Sequence, residues 1–349
     1  MRILVTGHHG YIGSVMVPVL RAAGHEVVGL DTFFFEDCTL CEDGEQVPAL
    51  RRDIRDVRHG DLEGFDGVAH LAALCNDPLG DLYPEWTAEI NHQASVHLAR
   101  LAREAGVHRF LYASSCSMYG AAGGDDILTE EAPLRPLTAY AVSKVRTEED
   151  VSKLADTSFS PVFMRNATAY GLSPRLRADV VLNNLVCWAH TTGRVRIMSD
   201  GSPWRPIVHV QDIARAFAAA FVAPREAVHN QAFNVGANGE NYQVRELAEI
   251  VRTTVPGCTV EYAQGASADP RSYRVDFGRL NRTFPDFRPQ WNASFGAKDL
   301  YAALQEAQVT LDDFQGRKFI RLNQLKHLRA TGMVDESLRW EEGSRKRSA

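Results

Sequence analysis

Ile3-Leu4-Val5-Thr6-Gly7-His8-His9-Gly10-Tyr11-Ile12-Gly13 decides the fold: an apolar strand runs at once into three glycines spaced three apart, and eighteen residues past the last of them stands Asp31. A strand that turns this tightly into a helix leaves no room for a Cβ, and a diphosphate laid against the turn sits at the positive N-terminal end of the helix. Gly7, Gly10 and Gly13 meet those needs. The next apolar run, Val27-Val28-Gly29-Leu30, ends on Asp31. A carboxylate at that point accepts hydrogen bonds from ribose hydroxyls and repels a 2′-phosphate. The stretch therefore reads as a dinucleotide site that favours NAD over NADP.

At 349 residues, 45% of them hydrophobic, the chain is long enough for one large core or two modest ones. No apolar run reaches the length of a membrane span, and Met1-Arg2 leads straight into a strand rather than into the apolar region of a signal peptide. A cytoplasmic protein with no membrane partner is expected. A net charge of −6, from 38 basic and 44 acidic residues, gives no footprint for nucleic acid, so any polyanionic ligand must meet local positive groups. Cys38-x-x-Cys41 lacks the second pair of ligands that a structural zinc requires; it reads as a loop, and no metal is expected.

Strand-like runs near 2–6, 26–30, 49–53, 67–71, 108–114 and 161–165 alternate with helical ones near 11–23, 84–105 and 138–155. Such alternation predicts an α/β fold, a Rossmann-type doubly wound parallel sheet with helices on both faces. Past residue 170 the regularity breaks into a helix near 178–192, strand and turn text around 195–203, an apolar helix from His209 to Val222, a buried strand at 232–236, and amphipathic helices at 243–255 and 294–307. The expected division is a dinucleotide-binding domain over 1–170, with 207–235 returning to it. A smaller α/β C-terminal substrate lobe takes 171–206 and 236–312, and a helical extension takes 313–349. Within the extension Leu322, Leu325 and Leu328 recur beside Lys326 and Arg329, the pattern of a basic amphipathic helix packed on the body of the fold.

Tyr140-Ala141-Val142-Ser143-Lys144 opens a helical run, where side chains four apart share a face. A free phenol, with pKa about 10, is a poor base at neutral pH, but a nearby ammonium and a positively charged nicotinamide ring both favour the phenolate; bringing it to neutrality requires roughly 4 kcal/mol. Tyr140 is thus a candidate general base. Upstream, the strand 108–113 runs into Ser114-Ser115-Cys116-Ser117-Met118-Tyr119-Gly120. Hydroxyls at the carboxyl end of a parallel strand point into the crevice where such sheets bind ligands.

From Met1 to about residue 310 the chain resembles an extended short-chain dehydrogenase/reductase of the nucleotide-sugar epimerase/dehydratase family. The resemblance is carried by T-G-x-x-G-x-x-G from Thr6 to Gly13, Asp31, Asp53-Ile54, His70-Leu71-Ala72-Ala73, Asn91, the Ser114–Gly120 stretch, Tyr140-x-x-x-Lys144, and Trp204 to Asp212. It implies NAD as cofactor, a nucleoside-diphosphate sugar as substrate, and a homodimer paired through the helices near 84–105 and 138–155. Under it Tyr11 and Ile12 join the glycines at the cofactor, Asp53 and Ile54 contact adenine, and Leu71, Ala72 and Ala73 line the nicotinamide half. Asn91 belongs to the same cofactor set, and Lys144 also holds the nicotinamide ribose. Ser115 falls on the catalytic serine or threonine, with Tyr140 and Lys144 completing the catalytic set. Asn76, Cys116 and Ser117 fall among the substrate-binding residues, Asn166 and Asn183 where the family holds sugar and diphosphate, and Arg205 and Arg271 on two arginines that converge on the diphosphate.

In the 4,6-dehydratases of this family an Asp-Glu pair follows the serine or threonine, and here those positions are Cys116 and Ser117. A 4-epimerase needs no such pair, because the keto-sugar turns over in the pocket and takes the hydride back on its other face. A 4-epimerase is therefore the expectation. The alternatives are a dehydratase, a 3- or 5-epimerase, a keto-sugar reductase or a non-catalytic dinucleotide sensor.

Overall fold

Alternate residues of the central strands face opposite sides, which sets the layers: Ile3, Val5, Leu111, Val162 and Met164 enter one buried cluster, and Leu4, Phe110, Tyr112 and Phe163 another. The computed structural model describes residues 1–41, 46–75, 83–120, 126–263, 271–341 and 343. Its main sheet has seven strands, β1 Arg2–Thr6, β2 Glu26–Asp31, β3 Ala49–Arg51, β4 Gly67–His70, β5 Arg109–Ser115, β6 Ser160–Asn166 and β7 Gln231–Val235. All pairings are parallel, in the order β7-β6-β5-β4-β1-β2-β3. Helices Gly13–Ala22 and Val210–Val222 pack together on the first cluster, and helices Ala94–Glu104 and Ala139–Ser152 on the second. Because the winding reverses between β1 and β4, a crevice opens at their carboxyl ends.

Beyond β6 the strands are short. Trp204–His209 pairs parallel with Thr168–Tyr170 and antiparallel with Asn241–Gln243, and Arg194–Ile197 pairs parallel with Thr259–Tyr262. Helices Val181–Thr192, Val244–Thr254 and Ala293–Glu306 pack around them.

Two elements differ from the sequence pattern for local reasons. The strand expected over 49–53 ends at Arg51, because Asp53 turns the chain by accepting from the Arg55 N–H at 2.9 Å and capping a 3₁₀ turn, Ile54–Asp56. The helix expected over 84–105 is one α turn, Pro84–Trp86, then a π segment, Thr87–Gln93, then the α-helix Ala94–Glu104. Within the π segment the Asn91 carbonyl accepts from the hydroxyls of Ser95 at 2.7 Å and Thr147 at 3.1 Å, and such bulges tend to fall at functional sites.

Candidate active site

The glycine-rich turn is shaped by contact. Gly7 has φ +72°, and a Cβ on it would lie 2.8 Å from the Ala72 nitrogen at the end of β4; one on Gly13 would lie 2.2 Å from the Gly7 carbonyl oxygen. Neither position tolerates a side chain. The helix Gly13–Ala22 starts with no side-chain cap at Ile12 and no acid in its first turn; the Ser14 and Val15 N–H groups bond the Gly10 and Ile12 carbonyls at 3.0 and 3.1 Å, and the positive end of the helix faces the glycine-rich turn, where an anion is favoured. Asp31 ends β2 with one carboxylate oxygen accepting from the His9 N–H at 3.0 Å and the other from the Phe33 N–H at 2.8 Å. Each oxygen keeps a lone pair for a ribose hydroxyl. Leu71, Ala72 and Ala73 follow β4 directly, with the Leu71–Ala72 backbone packed against Gly7 of the turn. These residues fit a dinucleotide: a cradle that a Cβ would fill, an uncapped helix end and an acid at the second strand.

Four residues that the resemblance assigns to ligands also hold the protein together. Asn91 is fully buried, and its side chain bonds both ways with the Leu74 backbone, accepting at 2.7 Å and donating at 2.9 Å. It braces the segment after β4. Asn183, also fully buried, accepts from the Gly171 N–H at 2.9 Å and donates to the Tyr11 hydroxyl at 3.1 Å and the Arg177 carbonyl at 2.9 Å. Tyr11 in turn donates to the Gly171 carbonyl at 2.8 Å. Both lock the 171–179 segment to the glycine-rich turn. Ile54 is buried in the second cluster, and the Asp53 carboxylate is held by the Arg55 guanidinium at 2.7 and 3.0 Å.

At the end of β5, Ser115 lies beside the Tyr140 phenol, which is in the first turn of helix Ala139–Ser152. Burial holds this phenol well above the usual tyrosine range, Cys75 and Tyr112 push the same way, and the Ser115 hydroxyl and the Arg177 charge oppose them. Lys144 is buried, donates to the Ala113 carbonyl at 2.6 Å, and stands 5.5 Å from the Tyr140 ring centroid. Burial lowers its pKa to about 8. The expected Tyr–Lys pairing is present as a shared face, with the ammonium directed at β5 rather than at the phenol oxygen.

On the substrate side Asn166 is level with Ser115 across β5 and β6. Among the described residues, the buried oxygens Ser117 Oγ and Asn166 Oδ1 meet no protein partner, as groups awaiting a polar ligand would. Arg205 and Arg271 are brought together, the Arg205 guanidinium bonding the Arg271 carbonyl. Cys116 departs from expectation. Its thiol points into the core, 3.1 Å from the Arg165 carbonyl, and burial pushes its pKa far up, so it packs rather than binding substrate. Asn76 lies outside the described residues.

Sequence reasoning missed two groups. Arg177 is gripped by Asp179 at 2.9 and 3.0 Å and donates to the Cys75 carbonyl at 3.0 Å, which places a cation beside Tyr140. Behind the Ser115 loop, Glu148 and Arg165 form a buried pair at 2.7 Å, and Arg165 also reaches the Glu130 carbonyl at 3.0 Å and the Tyr119 hydroxyl at 3.3 Å. Glu148 lies one turn past Lys144, so the spacing Tyr140, Lys144, Glu148 was a signal in the sequence.

Residues 3–236 match the NAD dependent epimerase/dehydratase family. The chain belongs to that family. It is 33% identical over 297 residues to a UDP-glucose 4-epimerase of Mycolicibacterium smegmatis, covering 81% of this chain and 89% of that protein. Among solved structures, MoeE5 in complex with UDP-glucose and NAD aligns with a TM-score of 0.75 at 28% identity, over 88% of this chain and 100% of that one. DesIV, a dTDP-glucose 4,6-dehydratase from Streptomyces venezuelae with NAD bound, aligns with a TM-score of 0.74 at 25% identity, over 88% and 97%. The family is NAD-dependent, and NAD is the cofactor.

Proposed function

We propose that this family member is a nucleotide-sugar 4-epimerase. The observation that carries the reading is the end of β5. Ser115 and Tyr140 form one proton-handling pair, and the two positions after Ser115 hold a core-buried thiol and a hydroxyl, with no carboxylate to take a proton from carbon. Its similarity to UDP-glucose 4-epimerases points the same way.

NAD, when bound, supplies acceptance and return of a hydride at the sugar carbon. Ser115 holds the reacting sugar hydroxyl, and Tyr140 takes its proton and keeps it at the phenol oxygen until the hydroxyl is restored. The positive charges of Lys144 and Arg177 favour that transfer against the burial that opposes it. Arg205 and Arg271 anchor the diphosphate, so the sugar ring swings about a fixed point while the hydroxyls of Ser115 and Ser117 and the amide of Asn166 accept either face.

The test is incubation of the purified protein with UDP- and dTDP-hexoses in deuterium oxide, followed by NMR. Interconversion of 4-epimers with no carbon-bound deuterium and no lasting rise at 340 nm is expected. Deuterium on a ring carbon or loss of water overturns the reading in favour of an enolising epimerase or dehydratase, and a steady rise at 340 nm in favour of a dehydrogenase.

A further inference from the structure

The family match ends at residue 236 and the resemblance near 310, yet the last stretch of chain is built into the cofactor half of the molecule. Helix Arg321–Ala330 and the segment after it return to β2, β3 and the helix that follows β4, and their anchors lie at one end of the sheet. Gln324 donates to the Phe34 carbonyl at 3.0 Å and the Trp340 indole to the Thr32 carbonyl at 2.7 Å, both just past β2. The Trp340 ring packs on Phe34 with centroids 5.6 Å apart. Past β3, the Arg55 guanidinium donates to the carbonyls of Ser337 at 2.8 Å and Leu338 at 3.1 Å while holding Asp53. The Trp86 indole donates to the Glu336 carbonyl at 2.9 Å.

This is the carboxyl end of β2 and β3, beside Asp31, where the adenosine half of a dinucleotide rests on such a sheet. The strap also reaches the glycine-rich turn. Arg321 donates to the Arg175 carbonyl at 2.7 Å, and Arg175 is 2.6 Å from His9 Nε2. Phe33, between the two, has φ +60°, a conformation rare for a phenylalanine and held by the Asp31 bond to its N–H.

We propose that residues 321–341 form a wall of the adenosine pocket and govern the release of NAD. Leu325, Leu328, Val334 and Leu338 are buried in one cluster with Leu4, Val28 and Leu30, so the strap is fixed by the core of the NAD half rather than resting on its surface. Arg55 ties it to Asp53, so the acid and the wall move together. NAD then leaves only when the 331–341 segment lifts. That suits a reaction that returns its hydride and needs no exchange of cofactor, and the inference holds whichever sugar carbon is inverted.

The experiment compares the full chain, a chain ending at Ala330, and Trp340→Ala. Each holoprotein is chased with excess isotopically labelled NAD, and loss of the unlabelled cofactor is followed by mass spectrometry. At least a tenfold faster release is expected in both variants. Thermal unfolding with and without NAD serves as the control, since a merely structural strap lowers both transitions equally and leaves release unchanged. Wild-type release from Trp340→Ala overturns the proposal, and if the shortened chain does not fold, that variant alone decides it.

Discussion

Tyr140 and Cys116 are both acids that burial pushes up, and only one of them has somewhere to send a proton. The phenol meets the Ser115 hydroxyl at the crevice, whereas the thiol faces the Arg165 carbonyl and, at 3.8 Å, the Asn234 side-chain oxygen on the closed side of the sheet. Tyr140→Phe keeps the ring and removes the proton acceptor, so the rate should fall by at least about 10²-fold while NAD stays bound. Cys116→Ala should keep activity within about tenfold, because a packing thiol contributes nothing to the transition state. Steady-state kinetics on both variants checks this. An equal loss in the two would place Cys116 in the chemistry, with the thiol reoriented from its present contacts.

At the scale of elements, Asn183 joins the start of helix Val181–Thr192 to both the glycine-rich turn and Gly171. Asn183→Ala strands the buried Gly171 N–H and should destabilise the fold by about 1–3 kcal/mol, as urea unfolding would measure. If the side chain were instead a direct sugar ligand, stability would be unchanged and only substrate affinity would fall. This is also where sequence reading reached its limit. The glycine turn, Asp31 and the seven strands were legible because each is a local pattern imposed by sterics or by alternation. Asn91, Asn183 and Cys116 occupy family motif positions, but a motif does not say which way a side chain points, and here each is consumed by backbone groups up to 49 residues away. In the extension the spacing of Leu322, Leu325 and Leu328 predicts a packed helix, and helix Arg321–Ala330 buries Leu325 and Leu328. Its docking place was not legible, because Gln324 meets Phe34 across 290 residues and no local pattern encodes such a contact.

Over the whole molecule, burial of histidines sets the response to acid. His70 bridges the hydroxyls of Thr6 at 2.6 Å and Ser95 at 2.7 Å under the crevice, and His209 stacks on Trp291 at 3.9 Å in the smaller lobe; burial lowers each pKa to about 3. Glu240 moves the other way, raised by burial to about 7. On unfolding the histidines return to about 6.5 and the glutamate to about 4.3. Between about pH 4.5 and 6.5 the unfolded chain therefore takes up two protons that the folded chain refuses, and releases the one that Glu240 keeps. The net is one more proton in the unfolded state, so stability should fall on acidification by about 1.4 kcal/mol per pH unit near pH 5. His8 and His9, also lowered by burial, add to the loss. Urea midpoints at pH 7, 6 and 5 in saturating NAD measure the slope, and a flat response would refute it. Glu240→Gln removes the opposing group, so its acid loss should be steeper than that of the parent, and an unchanged slope would mean that Glu240 is ionised in the folded protein.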